Sequence, residues 1–170
     1  MKRSELEEKI RDMAIIEGIL GKKLPENPKL EFGYELNFPP KSPRPMRIML
    51  VKTKETKAVS FQIATQIGEP HLEALHSTKR YGFYFNLFKK YMLTQNLLYN
   101  VDIKKGRYVI LDNVYPDGLT EHTFYLTVRR VFNAAVFMNI TLMEIIGGKI
   151  QGGKDTKEID DDYSEGSMFT

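Results

Sequence analysis

The stretch Leu30–Phe38, with the sequence LEFGYELNF, decides the fold that this chain predicts. Leucine, phenylalanine or tyrosine occupies every second position, and two glutamates, a glycine and an asparagine fall between them. This alternation predicts a β-strand with one side on a core and the other towards water. At about 3.3 Å per residue the strand is roughly 30 Å long. Because antiparallel sheets are the type that leaves one face solvated, we expect an antiparallel neighbour.

A helix is predicted before this strand. Ser4 and Glu7 have the spacing of a capping box, in which each side chain bonds the other residue's free backbone N–H. Apolar residues then recur at helical spacing up to Leu20. Gly21, two lysines and Pro25 favour the end of this helix.

Two further strands are predicted after Phe38. The prolines between 39 and 45 predict a stiff loop, since proline cannot donate to a strand ladder. The segment 46–52 is apolar on both sides, which indicates a central strand. The segment 59–67 alternates again and follows the polar turn 54–56, so we expect a hairpin.

The middle of the chain predicts an unusual helix, from His71 to Thr94 with a break near Gly82. Its second half is apolar on more than one face and must be buried on several sides. Either other helices of the same monomer cover it, or a second subunit does. If a second subunit covers it, the predicted contact residues are Tyr81, Tyr84, Phe88, Tyr91 and Met92, because aromatic side chains concentrate at interfaces.

The last elements are a hairpin and a long helix. The segments 99–103 and 108–114 read as its two strands, and Gly106 supplies the positive φ that the tight turn needs. A helix of roughly 40 Å should follow, capped near Thr120, running to Ile146 and stopped by Gly147 and Gly148.

This order predicts an α+β fold, in which a five-stranded antiparallel sheet has helices packed on it in the order α-β-β-β-α-β-β-α. We expect one domain over residues 1–148. Residues 149–170 carry six acids and three lysines, a charge of −3, and predict a disordered acidic tail.

The composition of the 170 residues excludes several classes of protein. The net charge of +3 is small for a dedicated nucleic-acid protein. The absence of cysteine excludes disulfides, thiolate metal sites and a cysteine nucleophile. The sequence has neither a membrane-spanning apolar run nor a signal peptide, so we expect a cytoplasmic protein.

A catalytic constellation is not found in the sequence. His71 and His76 are five residues apart and point away from each other on a helix, so they cannot share a metal as an i, i+4 pair does. Phosphate-binding, nucleophile-elbow and zinc-protease motifs are missing. We therefore expect no enzyme activity, no cofactor and no metal.

Basic residues cluster at two predicted turns, Lys52, Lys54 and Lys57 at one and Lys104, Lys105 and Arg107 at the other. Lysines at hairpin ends can contact a phosphate backbone. They also protect sheet ends against aggregation. Weak nucleic-acid binding through these turns is therefore an alternative function.

With its order of elements and its three strands 30–38, 46–52 and 59–67, the chain resembles the type III secretion chaperone-like fold. That fold also occurs in bacterial sensory-transduction regulators and in uncharacterised archaeal proteins. The resemblance implies a homodimer that binds other proteins. The use of Ile, Lys and Glu and the lack of Cys suit an archaeal or thermophilic source, so the chain is identified as a member of an uncharacterised archaeal family with this fold.

The leading hypothesis is therefore a non-enzymatic, chaperone-like protein-binding module that acts as a homodimer. The alternative from another class is a small-molecule pocket between the sheet and the C-terminal helix, where Tyr34, Tyr99 and Tyr108 could orient a ligand. A further hypothesis is that the acidic tail folds over the basic body and competes with an acidic partner.

Overall fold

The computed structural model describes residues 3–147, so the predicted acidic tail lies outside the described residues. The helices are α1 (Arg3–Ile16), α2 (Glu69–Ser77), α3 (Tyr81–Thr94) and α4 (Glu121–Ile146). The strands are β1 (Leu20–Lys23), β2 (Leu30–Phe38), β3 (Met46–Thr53), β4 (Val59–Gln66), β5 (Leu98–Asp102) and β6 (Arg107–Val114). Short 3₁₀ turns at Ile103–Lys105 and Pro116–Gly118 complete the described chain.

The described chain forms one antiparallel sheet in the order β1-β2-β3-β4-β6-β5. The α+β class and the predicted strands are confirmed, but the sheet has six strands rather than five. The additional strand is β1, in which Leu20 lies opposite Leu36 and Lys23 opposite Tyr34. The first helix ends at Ile16 instead of continuing to Leu20, because the chain turns at Gly18 with φ 68°.

The helices of the described chain all lie on one face of the sheet. Alternate side chains of β2, β3, β4 and β6 point into this layer, and most of them are buried. The rings of Phe61 on β4 and Phe124 on α4 meet edge to face, with centroids 5.5 Å apart and both side chains fully buried. Burying one such side chain stabilises the folded state by about 1.5–3 kcal/mol. The hydrophobic core therefore lies between the sheet and the helices.

Helix α4 runs the length of the sheet. It begins past the end of β6, near Phe61, and its Phe132 ring lies 4.9 Å from that of Phe38 at the far end of β2. Thr120 and Thr123 form its N-terminal capping box, and Gly147 ends it with φ 60°. The predicted cap near Thr120 and the stop at Gly147 are confirmed.

The middle helix is broken earlier than predicted. The interruption is at residues 78–80, where Lys79 has φ 55°, whereas Gly82 lies inside α3. The N–H of Arg80 donates to the carbonyl of Leu75, and this closure ends α2 before the glycine is reached. The chain then begins α3 in a new direction.

In the structure, the Glu7 side chain has another role than the predicted capping box of α1. The Glu7 carboxylate accepts hydrogen bonds from the Lys23 amine and the Tyr34 hydroxyl, both at 2.8 Å. The Glu7 side chain therefore joins α1 to β1 and β2 rather than closing the helix on itself.

The turn between β5 and β6 depends on Gly106. Its φ of 61° is in the left-handed region, as the sequence predicts. A Cβ at this position would lie 2.5 Å from Cδ2 of Leu72 on α2. A side chain at this position would therefore require Leu72 on α2 to move.

Candidate functional site

The five residues predicted as a subunit interface divide into two groups. Tyr84, Phe88 and Met92 are fully buried within the monomer, and Tyr81 and Tyr91 are half-buried. The first three fill the space between α3, α4 and β5, so they offer no surface to a partner in this fold. For them the prediction is corrected to the other reading of the sequence, in which one monomer's own helices cover α3.

The buried part of α3 includes a pair of tyrosines. Burial raises the pKa of Tyr84, and the neighbouring Tyr108 raises it further. Burial also raises the pKa of Tyr108. The Tyr84 hydroxyl reaches the backbone carbonyl of Met138 on α4 at 3.5 Å. Both phenols stay neutral at physiological pH and link α3, β6 and α4.

The exposed apolar residues of α3 and α4 are neighbours of the predicted ones. The rings of Tyr91 and Phe137 stack with centroids 3.9 Å apart and an interplanar angle of 12°. Leu87 and Phe83 precede Tyr91 at intervals of four residues, and Ile140 follows Phe137 by three, so helical spacing places them beside this stack. Phe83 is 59% exposed. We call these five residues the aromatic ridge.

The face of the sheet opposite the helices is uncovered within residues 3–147, and we call it the open face. Leu98, Leu111, Gln62 and Met49 lie on it in one row across β5, β6, β4 and β3. Val109 lies next to Ala64 and Asn100 in a second row. The apolar members are only partly buried, except Leu98, which is 53% exposed.

A basic cavity lies at one end of the open face, where β2 turns into β3. We call it the basic basin; its volume is about 630 Å³. Its charged lining residues are Lys22 from β1, Lys41 and Arg44 from the β2–β3 loop, Arg47 from β3, and Glu35 from β2. Glu35 is paired with Arg47, whose Nε lies 3.3 Å from the carboxylate.

A second, smaller cavity of about 260 Å³ lies at the same end of the open face, beside β4, β6 and β5. Gln66, Asn100, Asp102 and Arg107 supply its polar lining. Together the two cavities give this end of the open face a polar and mainly basic margin.

The basic turns that suggested nucleic-acid binding do not form one surface. Lys52 is only 7% exposed, and its amine donates to the carbonyls of Thr53 and Thr56 and lies 3.4 Å from the Glu31 carboxylate. The turn at 104–107 lies at the opposite end of β4 from the turn at 54–57. The eight residues of β4 separate the two by roughly 25 Å.

The tyrosines proposed as ligand contacts are engaged within the protein. Tyr34 donates to Glu7, Tyr108 pairs with Tyr84, and the ring of Tyr99 meets Phe88 edge to face at 5.5 Å. Where Phe61 meets Phe124, side chains fill the space between the sheet and α4. The two cavities described here lie on the open face instead.

The histidines are separated as the sequence predicts. His76 stacks on Tyr81 with ring centroids 4.1 Å apart, while burial lowers the pKa of His71 on the same helix. Among residues 3–147, histidine and acidic side chains form no cluster of three that could hold a metal ion. No helix of this part of the chain is long and apolar enough to cross a bilayer.

Sequence reasoning missed the basic basin. Its available signal was the segment KSPRPMR, residues 41–47, which places a cation at every third position of a proline-rich loop. The contribution of Lys22 cannot be read from the sequence, because residues 20–23 predict a helix end rather than a strand beside β2.

Comparisons with known proteins support the fold. The structure is similar to the crystal structure of an uncharacterized protein from Methanothermobacter thermautotrophicus, with a TM-score of 0.74 and 17% identity over 84% of this chain and 99% of that one. It is also similar to a chain in the crystal structure of the ExsC–ExsE complex, with a TM-score of 0.51 and 17% identity over 82% and 95% of the two chains. This second similarity is consistent with the predicted chaperone-like fold.

No curated protein matches the chain. The sequence of residues 6–142 matches the family described as "Uncharacterized conserved protein (DUF2299)". This match covers most of α1 through α4, and the expected membership of an uncharacterised family is confirmed. The chain belongs to the DUF2299 family.

Proposed function

We propose that this protein is a non-enzymatic, chaperone-like protein-binding module that acts as a homodimer in the cytoplasm. The open face is the observation that carries the proposal. A six-stranded sheet needs one covered face to hold its core, yet Met49, Leu111 and Leu98 place apolar side chains on the other face as well. Leu111 and Leu98 are directly paired, while Gln62 lies between Leu111 and Met49. Apolar area without cover is typical of an interaction site.

The buried polar groups support a role without catalysis. Each buried side-chain nitrogen or oxygen of the described residues has a hydrogen-bond partner. The buried cation, Lys52, is held by two backbone carbonyls and by Glu31, and the Tyr84–Tyr108 pair is enclosed. These groups hold the fold together through contacts within the monomer.

The aromatic ridge supports a dimer formed by a second copy. Its aromatic members, Phe83, Tyr91 and Phe137, belong to the residue types that dominate subunit contacts. A symmetric pair could place the ridge of one copy on that of the other. A stable interface needs about 800 Å² per partner, which two adjacent helix faces can supply.

The similarity to a chain of the ExsC–ExsE complex agrees with protein binding, since that fold was crystallised with another protein. In the present chain the open face lies on the other side of the sheet from the aromatic ridge. A dimer formed through the ridge would therefore leave both open faces free to bind a partner.

Sedimentation at micromolar concentration tests the dimer. We expect the wild-type protein to sediment as a dimer and Phe137→Lys as a folded monomer, because the added charge would be buried unpaired. His122→Lys changes an exposed residue at the start of the same helix and should stay dimeric. A monomeric wild type, or equal dimerisation of both variants, would contradict the dimer.

Partner binding through the open face is tested by quantitative capture from cells of the source organism. Met49→Lys should lose a protein that the wild type retains, because it places a charge on the open face in the row that contains Leu111 and Leu98. Lys54→Met, in the exposed β3–β4 turn, is the control and should retain that protein. Equal capture by Met49→Lys and the wild type would rule out the open face.

A further inference from the structure

The basic basin is lined by more basic than acidic side chains of the described chain. Lys22, Lys41, Arg44 and Arg47 line it together with a single carboxylate, Glu35. Lys22 and Lys41 are exposed, and Arg47 already holds Glu35. Four cations around a cavity of this size form a positive potential that attracts a ligand with several negative charges.

The lining also limits the chemistry of that ligand. The remaining lining residues are glycine, asparagine, serine and prolines, and no aromatic ring is among them. A nucleobase would therefore find nothing to stack on. Lysine and arginine side chains with the Asn37 amide and the Ser42 hydroxyl suit a flexible run of carboxylates.

The direction of α4 brings the end of the described chain to the same end of the sheet. The helix passes Phe61 near the β3–β4 turn and then Phe38, the last residue before the β2–β3 loop. Its 26 residues are about 39 Å long, whereas the eight residues of β4 span roughly 26 Å. The chain after Gly147 therefore starts at the end of the sheet that holds the basic basin.

The sequence that follows Gly147 has the complementary charge. Residues 155–165 contain six acids and one lysine, and Asp160, Asp161 and Asp162 are consecutive. Asp160 is the thirteenth residue after Gly147, and an extended chain of that length can span up to about 43 Å. This span is the reach that the chain gives to the three aspartates beyond the end of α4.

We propose that the basic basin is a binding site for a run of carboxylates and that its resident occupant is this chain's own acidic segment, residues 155–165. A tethered segment has an effective concentration in the millimolar range, so modest ionic contacts are enough to keep the site occupied. An acidic partner would have to displace it. This inference does not depend on the dimer or on the open face.

Paramagnetic relaxation on the full chain tests the proposal. Because the sequence has no cysteine, Ser164→Cys carries a single nitroxide label next to the acidic segment. We expect the amide signals of Gly18, Lys22 and Ser42 to lose intensity through broadening. Raising the ionic strength to about 1 M, where the Debye length is about 3 Å, should restore them.

Two charge-matched double variants complete the test. Lys22→Glu with Lys41→Glu reverses the basin and should abolish the broadening, whereas Lys54→Glu with Lys57→Glu at the opposite end of the sheet should leave it intact. Amide shifts elsewhere report whether each variant is folded. The proposal would be overturned if the broadening were centred on another surface, if no amide signal were broadened, or if both double variants showed equal broadening.

A mixed sample settles which copy supplies the segment. When the label and the ¹⁵N isotope are on different molecules, the basin signals should keep their intensity. Broadening in that sample at the strength seen within one molecule would overturn the intramolecular site.

Discussion

The two faces of the six-stranded sheet carry similar side chains in very different surroundings. On the helix-covered face Leu36, Ile48, Leu50, Phe61 and Ile110 are fully buried. On the open face Met49, Val51, Val109 and Leu111 come from the same or neighbouring strands but remain partly accessible. Leu50 and Leu111 are the same residue type on two inner strands of one sheet.

This difference shows on which apolar side chains the stability of the fold depends. The covered face gains its stability from close packing against α1, α3 and α4, where each lost methylene leaves a cavity. The open face gains little from its apolar side chains as long as they are hydrated. The predictions below test whether the two faces are as unequal as the structure shows.

The largest effect is expected from a matched pair of leucine truncations. Leu50→Ala on the covered face should reduce the free energy of unfolding by about 2–5 kcal/mol, because it removes a fully buried side chain. Leu111→Ala on the open face should cost about 1 kcal/mol. Urea denaturation measures both. Equal losses would mean that the open face is covered in solution.

A smaller effect is expected from the buried cation at the edge of the covered face. Lys52→Met removes the donor to the carbonyls of Thr53 and Thr56 and leaves the Glu31 carboxylate without its partner, so unfolding should become easier by about 1–3 kcal/mol. Lys54→Met, two residues away and exposed, should change stability by less than about 0.5 kcal/mol. Thermal denaturation of the two variants compares them. If the stability of Lys52→Met equals that of the wild type, this network does not contribute to the free energy of unfolding.

The attachment of α1 to the covered face should depend on pH. Burial raises the pKa of Glu7, but hydrogen bonds from Lys23 and Tyr34 outweigh it, and the net pKa lies below the ordinary value of 4.5. The carboxylate therefore stabilises the fold above pH 4.5, and this contribution is lost as the pH falls through the folded pKa. The expected loss of stability is smaller than that for Lys52→Met, since Lys23 is exposed and solvent screens the Glu7–Lys23 pair.

Glu7→Gln isolates this contribution. The stability difference between the variant and the wild type should be constant near pH 7 and shrink below pH 4.5, measured by urea denaturation across pH. Glu8→Gln, on the exposed side of the same helix, is the control and should show no such change. A difference that grows as the pH falls would have the wrong sign for this mechanism.

The smallest change in stability is expected on the open face itself. Met49→Lys places a charge among partly exposed side chains, where it can remain hydrated, and should alter the free energy of unfolding by less than about 0.5 kcal/mol. The variant should nevertheless lose the captured partner. A strongly destabilised Met49→Lys would instead indicate that β3 is buried on both sides.

Much of this comparison could be predicted from the sequence. The alternation in 30–38 and 59–67 identifies strands with two unlike sides, and the caps predict the limits of α4, near Thr120 and at Gly147. The strand β1 could not be predicted, because four residues that contain a glycine and two lysines carry the same signal as the end of a helix. Only pairing with β2, a non-local contact, makes them a strand.

The candidate interface shows the same limitation. The apolar pattern of α3 predicts that the helix is buried on several sides but does not say which side remains exposed. That side depends on where α4 crosses, which is why Tyr84 and Phe88 became core residues and Phe83 became exposed. The basic basin depends on two segments, residues 18–22 and 35–47, that come together only in the folded chain.

The turn at Gly106 has an evolutionary consequence. Its left-handed backbone and the 2.5 Å approach of the Leu72 side chain disfavour any other residue, whereas a Cβ at Gly82 would meet nothing within 4 Å. Homologues should therefore keep glycine more often at the first position than at the second. An aligned relative with a bulky residue at position 106 would have to build this corner differently.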